Sequence, residues 1–559
     1  MSNDRGIGER PWYRFYEPQV PRTIDYPELN LYQMFQFAVE ENPGGTAVLF
    51  YGKRWTYRKL SALVDAFADR LADVGVRKGD RVALVLPNIP GYPIAHFAAA
   101  RLGAILVPTN PLYVERELEN QLNDAEAETV VILDRLFPKL ERVRGNTGVQ
   151  RVIVMEVEDF LPWPLNWLSR LKRRKERGEL RPLLAGAGVV SYASFMKRRA
   201  PRHPGTFVPW EETAMLLYTG GTTGVSKGAE LSHRNVVVNA YQTRHWLWSM
   251  EEGREVLLCV LPFFHSYGMT TGLHLAVVSR SAMLLLPRFD LPEVAKQIRR
   301  YRPTIFCAVP AMYNAINRYQ GLSAQDVSSI KLCVSGGAAL PAEVQERFEA
   351  KTGGKLVEGY GLTETSPVAI VNPLLGRRKV GTIGIPISDT DARVVDPETG
   401  EPLPPGEVGE LAIRGPQVMK GYWRKPAETA LVLRDGWLYT GDMAVMDEEG
   451  YFRIVDRKKD VIISAGMNIY PREIEEVLLR HPKIVEAAVV GIPSKVRDET
   501  VKAFIVPEPG AELTKAEVLE YLQDKLARYK IPKHIAFVDA LPKSALGKVL
   551  KRELVEGKG

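Results

Sequence analysis

Between residues 57 and 133 short apolar, β-rich runs alternate with helix-length amphipathic stripes, and no other feature restricts the fold as much. Apolar side chains at 60, 63, 64, 67 and 71 line one face of a helix over 57–74, and Gly75 stands where a terminator belongs. A strand at 81–86, a helix at 91–102, a strand at 104–108, a helix at 115–124 and a strand at 129–133 follow. Strands joined through helices pair in parallel, so the alternation predicts an α/β architecture with largely parallel sheet. The rhythm returns after 256, with strands at 256–261, 282–286, 305–309, 331–334 and 355–358 separated by helices. Between 380 and 455 short β runs and Gly/Pro turns predict a small antiparallel, barrel-like unit. Beyond Asp460 the pattern resets to a compact α+β module, with a helix opening at Pro471 and burying Ile474, Val477 and Leu478.

A chain of 559 residues exceeds a single hydrophobic core. We divide it into an N-terminal domain, 1–456, and a C-terminal domain, 457–559, joined at the charged run from Asp456 to Asp460. The N-terminal domain contains the β-rich part at 380–455 and a variable stretch at 155–207. Cys259, Cys307 and Cys333 sit singly in apolar runs, which argues against disulfides or a zinc site and for a reducing, cytoplasmic setting. A net charge of +7 suits phosphate-bearing substrates or an anionic membrane surface; no nucleic-acid partner is expected. The polar N-terminus lacks a signal-peptide core, and the longest apolar stretch, 272–287, is interrupted by Ser279 and Arg280, so no membrane span is expected.

The chemistry concentrates in Leu217 to Gly228. Glycines at 220, 221, 224 and 228 permit backbone angles that turn N–H groups inward as a nest for anionic oxygen. Thr219, Thr222, Thr223 and Ser226 add hydroxyls, and Lys227 adds a fixed positive charge. Together they describe a polyphosphate cradle after a buried strand. The order Ser226, Lys227, Gly228 is not that of a Walker A loop, where Gly precedes Lys and Ser or Thr follows it, so an ordinary P-loop NTPase is disfavoured.

This loop, Gly359 to Glu364, Tyr439 to Asp442, Asp456 with Arg457, and Pro542 to Lys548 occur in the order found in the adenylate-forming superfamily. With Asn110 to Tyr113 and Arg116 to Asp124, the chain most resembles bacterial long-chain fatty acid–CoA ligases. The resemblance implies adenylation of a fatty acid by ATP, with Mg²⁺, and then transfer of the acyl group to CoA. It implies nucleotide contacts from Thr219, Gly220, Gly221, Thr222, Thr223, Gly224, Lys227, Gly336, Gly337, Tyr360, Gly361, Thr363, Asp442 and Arg457. Glu364 would hold Mg²⁺, and His265 would lie near the substrate carboxylate. Lys548 would reach the α-phosphate during adenylation, Lys459 would be the hinge of a mobile C-terminal domain, and Gly466 would line the pantetheine channel. A homodimer is likewise implied. Each role has a plainer counterpart: Tyr360 as packing, Asp442 capping the turn after Gly441, Glu364 as a helix-start carboxylate, Gly336 and Gly337 as a turn, and His265 as a structural group.

The acyl substrate rests on this resemblance and on aromatic and aliphatic residues around 262–275 that could wall an apolar tunnel. Medium-chain or aromatic acid–CoA ligases, a fatty acyl-AMP ligase and an inactive lipid-binding homologue are the alternatives. Residues 156–207 fall outside the shared pattern. There Trp163, Trp167, Leu168 and Leu171 recur at helical spacing, and seven Arg or Lys against two Glu fall between 170 and 181. Tryptophan and basic residues together suit the inner face of a membrane, so 160–182 is a candidate peripheral contact. The alternative is a solvated insertion whose tryptophans cover the main domain.

Overall fold

The computed structural model describes residues 10–176, 178, 186–219, 226–464, 467–494, 498–543 and 549–555. The fold is mixed α/β, as the alternation predicts, and packs as two units. The larger comprises Tyr13–Asp391 and Arg414–Gly436; the other comprises Ala392–Ile413 and Trp437–Gly559 with the N-terminal segment up to Trp12.

The larger unit is built on two sheets. In the eight-stranded sheet Arg81–Val85 lies between Ile105–Pro108 and Thr129–Leu133, all parallel, because the connections are the predicted helices Gly91–Arg101 and Glu115–Asp124. The strand Thr213–Thr219 joins in parallel beside Ile105–Pro108, then turns back antiparallel through Lys227–Ser232. The nine-stranded sheet has a parallel centre of Ala282–Leu285, Val256–Cys259, Ile305–Ala308, Leu332–Ser335 and Lys355–Gly361. Strands buried on both faces explain why these runs are continuously apolar rather than alternating. Val130, Val152, Leu118 and Phe137 fill the core of the first sheet, and Leu284, Phe306, Ile298 and Phe348 that of the second.

The second unit carries the antiparallel strands Val408–Arg414, Trp437–Met446 and Phe452–Arg457, followed by a five-stranded sheet in which Asp498–Pro507 pairs antiparallel with Ile484–Ser494 and parallel with His534–Phe537. Helices Pro471–Leu478 and Lys515–Gln523 cover the latter through Ile474, Leu478, Val518 and Leu522. The connection at Asp456 to Asp460 lies within this unit, between its two sheets, as the end of a strand and the short helix Lys458–Asp460.

Two local differences from the sequence expectation bear on function. The strand at 355–358 continues to Gly361, because Gly359 to Gly361 pair with Val368–Val371. The tryptophans of 156–207 do not cover the main domain: Trp163 is 82% exposed and Trp167 58%. Among the described residues, no helix is long and apolar enough to cross a membrane.

Candidate active site

The predicted phosphate cradle connects two antiparallel strands, with Thr219 opposite Lys227 in register. Gly220, Gly221, Thr222, Thr223 and Gly224 lie outside the described residues. Both stems of the loop are tied. Ser226 Oγ donates to the Thr219 carbonyl at 2.5 Å, and Tyr218 OH donates to Asp124 Oδ2 at 2.7 Å. Gly228 gives the Tyr218 ring its place, since a Cβ there would stand 3.1 Å from Cζ.

The edge beyond Lys227–Ser232 is taken by a two-residue strand, Gly421–Tyr422, arriving from nearly two hundred residues away. It brings Tyr422 between two of the predicted residues. The Tyr422 hydroxyl donates to Glu364 Oε1 at 2.8 Å, and Lys227 Nζ stands 5.1 Å from the centre of its ring. Burial and then the Glu364 carboxylate push the Tyr422 pKa up, so its hydroxyl remains a proton donor. The Glu364 carbonyl also accepts from the Met419 N–H at 2.8 Å, which fixes the segment to which Tyr422 belongs. Sequence reasoning missed Tyr422; its only local signal is a glycine–aromatic pair between turn-rich stretches.

Glu364 sits in the short 3-10 helix Thr363–Thr365, which follows the tight reversal after Gly361. Gly361 is required there by space, because a Cβ would fall 1.8 Å from the Pro367 carbonyl oxygen. Tyr360, between two glycines, pairs with Ile370. Thr363 Oγ1 is 3.4 Å from Ser266 Oγ, which joins this corner to the segment containing His265.

His265 is placed by a clamp built across the two sheets. Asn88, just beyond the first sheet's strand Arg81–Val85, donates to the carbonyls of Cys259 and Leu261 at 3.0 and 2.8 Å and accepts from the Phe263 N–H at 2.8 Å. His265 Nδ1 then accepts from the Tyr267 N–H at 3.2 Å, so the neutral ring carries its proton on Nε2. Tyr267 donates to the Val334 carbonyl at 2.7 Å and lies against Gly336, where a Cβ would be 3.1 Å from its ring. Gly337 has φ +81°, open to glycine at little cost. In the 262–275 stretch expected to wall a tunnel, 262–265 form a half-buried turn and the chain is helical from Ser266, buried from Gly268 onward, with one π-turn at Met269–His274; the cavity beside Cys259, Leu261, Thr271 and Gly272 measures about 10 Å³.

In the second unit Asp442 is buried in the strand Trp437–Met446, opposite Arg457, whose Nε lies 2.7 Å from Asp442 Oδ1. Asp442 therefore occupies a paired strand position, directly after the turn at Gly441. Glu410 fixes that turn by accepting from the Gly441 N–H at 3.0 Å and pairing with Lys458 at 2.8 Å. Lys459 occupies the short helix Lys458–Asp460, where burial lowers its pKa. Gly466 and Lys548 lie outside the described residues.

Among the described residues no cluster of three or more His, Cys, Asp or Glu could cage a metal ion. A Mg²⁺ that shares its shell with nucleotide phosphates needs only one or two protein carboxylates. Glu364, a carboxylate that Tyr422 ties to the same corner as Lys227, fits that requirement.

Residues 35–423 match the family described as AMP-binding enzyme, and residues 473–548 match the AMP-binding enzyme C-terminal domain. The chain is 44% identical over 554 residues to a long-chain-fatty-acid–CoA ligase of Bacillus subtilis, covering 98% of both chains. It is 40% identical over 556 residues to the enzyme of the same name from Yersinia pestis, again covering 98% of each. Among solved structures, ATP-bound MatB from Rhodopseudomonas palustris superposes with a TM-score of 0.81 at 32% identity, covering 95% of this chain and 99% of that one. The anthranilate CoA ligase AuaEII in complex with anthranoyl-AMP gives 0.82 at 26%, covering 95% and 98%.

Proposed function

The chain belongs to the AMP-binding enzyme family, and from that premise we propose that it is a long-chain fatty acid–CoA ligase. A carboxylate oxygen of the fatty acid attacks the α-phosphorus of ATP and pyrophosphate leaves, giving acyl-AMP. The sulfur of CoA, having lost its proton to solvent, then attacks the acyl carbon and AMP leaves. Both carbon–oxygen–phosphorus exchange and thioester formation are completed without any redox step.

Attack by an anion on a polyanion requires neutralised charge and fixed alignment, and positioned cations and donors supply most of the acceleration. We assign the β- and γ-phosphates to Lys227 and the hydroxyls of the 219–227 loop. Thr363 would donate to the α-phosphate, Tyr360 with Gly336 and Gly337 would take the adenine, and Asp442 with Arg457 the ribose hydroxyls. Glu364 would hold Mg²⁺, which supplies charge neutralisation to phosphate oxygens when bound. His265 would offer a hydrogen bond to the acid's carboxylate. Lys548 is assigned to adenylation, Gly466 to passage of the pantetheine chain, and Lys459 to the hinge about which the C-terminal domain changes position.

The observation that carries this assignment is the single side chain of Tyr422 holding Lys227 on its face and Glu364 on its hydroxyl. A phosphate-binding cation and a metal-binding carboxylate gathered this way serve one polyanionic ligand. The test is pyrophosphate release with ATP and Mg²⁺ across fatty acids of increasing length, cinnamic acid and benzoic acid, with and without CoA. Long-chain acids should give the highest kcat/KM, with AMP release dependent on CoA. Preference for benzoic or cinnamic acid would move the substrate to the aromatic class. No pyrophosphate from any acid would reject the function.

A further inference from the structure

The helix Leu165–Lys172 is attached to the protein the wrong way round for an ordinary surface helix. No residue of it is buried. Its apolar side chains point outward: Leu165, Trp167, Leu168 and Leu171 are 47–58% exposed, and Trp163 just before it is 82% exposed. Its polar stripe faces the domain instead. Ser169 Oγ donates to Glu158 Oε1 at 2.6 Å, and Arg170 pairs with Asp159 at 2.8 Å and Glu156 at 3.4 Å. Arg173, only 6% exposed, reaches Asp134 at 2.5 Å, Glu158 at 2.9 Å and Glu176 at 2.8 Å.

A surface helix normally buries its apolar stripe and solvates its charges. Docking by buried ion pairs gains little over apolar packing, because desolvation offsets most of the attraction. This arrangement therefore sacrifices the easier contact and leaves five large apolar groups in water. It is accounted for when those groups have another surface to enter.

We propose that Trp163 and the outward stripe of Leu165–Lys172 seat the protein on the interfacial zone of an anionic lipid bilayer. Tryptophan and leucine on one face with basic residues at the border are the composition of helices that lie in that zone, with the apolar face about 5–10 Å into the headgroup boundary. Lys172, Arg174 and Lys175 are exposed beside the stripe, and the chain's net charge is +7, both complementary to anionic headgroups. A second copy of the chain fits the face less well. Two large and three medium side chains at these exposures offer roughly 600 Å², short of the ~800 Å² that each partner in a stable protein pair buries. A two-fold contact would also set one basic border against another.

The inference rests on the ligase assignment only for its use, the capture of an acid that partitions into lipid; vesicle binding is measured without turnover, so the two fail separately. Full-length protein is floated with vesicles of phosphatidylcholine alone and of phosphatidylcholine with phosphatidylglycerol. The protein should float with the anionic vesicles, and Trp167→Ser/Leu171→Ser should lower its partitioning about tenfold or more. Lys172→Glu/Lys175→Glu should abolish the preference for phosphatidylglycerol. Wild-type tryptophan fluorescence should be quenched by lipids brominated along the acyl chain, a measurement that needs no variant to fold. Absence of flotation, equal flotation of Trp167→Ser/Leu171→Ser, or absence of quenching overturns the proposal. A wild-type dimer that the same double variant dissociates in sedimentation would assign the face to self-association and overturn it equally.

Discussion

Tyr422 meets Glu364 through its hydroxyl at 2.8 Å and holds Lys227 over its ring at 5.1 Å, so one side chain sets the spacing of an anion and a cation. A hydrogen bond to a charged group contributes about 1.5–3 kcal/mol. Tyr422→Phe keeps the ring face and loses only the hydroxyl. It should slow pyrophosphate release about tenfold or more and raise the Mg²⁺ concentration needed for half-maximal rate. Tyr422→Ala removes both contacts and should be slower still. A wild-type rate and Mg²⁺ dependence for Tyr422→Phe would leave the pairing without a role in adenylation.

Gly361 and Gly441 are both motif glycines, and they answer to different constraints. At Gly361 a Cβ would collide with the Pro367 carbonyl at 1.8 Å, and at Gly441, φ +71°, it would meet nothing within 4 Å. Gly361→Ala must open the turn that carries Glu364, so adenylation should fall by ~100-fold or more together with a lower melting temperature. Gly441→Ala faces only left-handed strain, about 1 kcal/mol. Measured side by side, equal losses would contradict the steric account.

Three histidines are buried without charge. His96 Nε2 and His274 Nε2 are 3.2 Å apart, one donating to the other, and His233 Nδ1 accepts from the Leu31 N–H at 3.2 Å. Burial holds His96 well below its ordinary value of 6.5, and lowers His233 to about 4 and His274 to about 3. Above 6.5 folded and unfolded forms are equally neutral and nothing is lost. Below it the unfolded chain takes up protons that the folded one refuses, so stability falls as pH drops toward 4 and then 3. At about pH 5 each should cost about 2 kcal/mol. Denaturant titrations of wild type and His274→Phe at neutral and acidic pH should converge as the pH falls. A constant difference between them would refute this.

Lys548 and Gly466 are assigned from sequence motifs alone, and the two half-reactions separate them. Lys548→Ala should abolish acyl-AMP formation while leaving conversion of supplied acyl-AMP to thioester largely intact. Gly466→Leu should do the reverse, blocking the thin pantetheine chain and sparing adenylation. Rapid-quench assays of each half-reaction decide both assignments. Equal loss in both halves by either variant would make that residue structural.

Helices and parallel strands were legible wherever burial wrote a clean period, as in Tyr57–Asp73, where Leu60, Val64, Phe67 and Leu71 point into the core. The extension of Lys355–Gly361 through two glycines was not, because local propensity argues against it and the pairing that imposes it comes from the valines of Val368–Val371. Motifs named Lys227 and Glu364 but not Tyr422, which reaches them by adding a strand edge from a distant segment. The spacing of Trp163, Trp167 and Leu171 showed a stripe without its direction. That direction is decided by Asp134, Glu156, Glu158 and Asp159, whose positions in sequence show no periodic relation to the helix.

Cys259, Cys307 and Cys333 lie on three neighbouring strands, Val256–Cys259, Ile305–Ala308 and Leu332–Ser335, all buried and none disulfide-bonded. Burial raises their thiol pKa values, that of Cys307 to about 12, so thiolate is scarce while the sheet is closed. The larger unit thus carries a built-in stopwatch. The pace at which a bulky maleimide consumes these sulfurs counts how often the middle of the sheet comes apart, and any bound nucleotide that slows the clock reveals how far its grip extends into the framework.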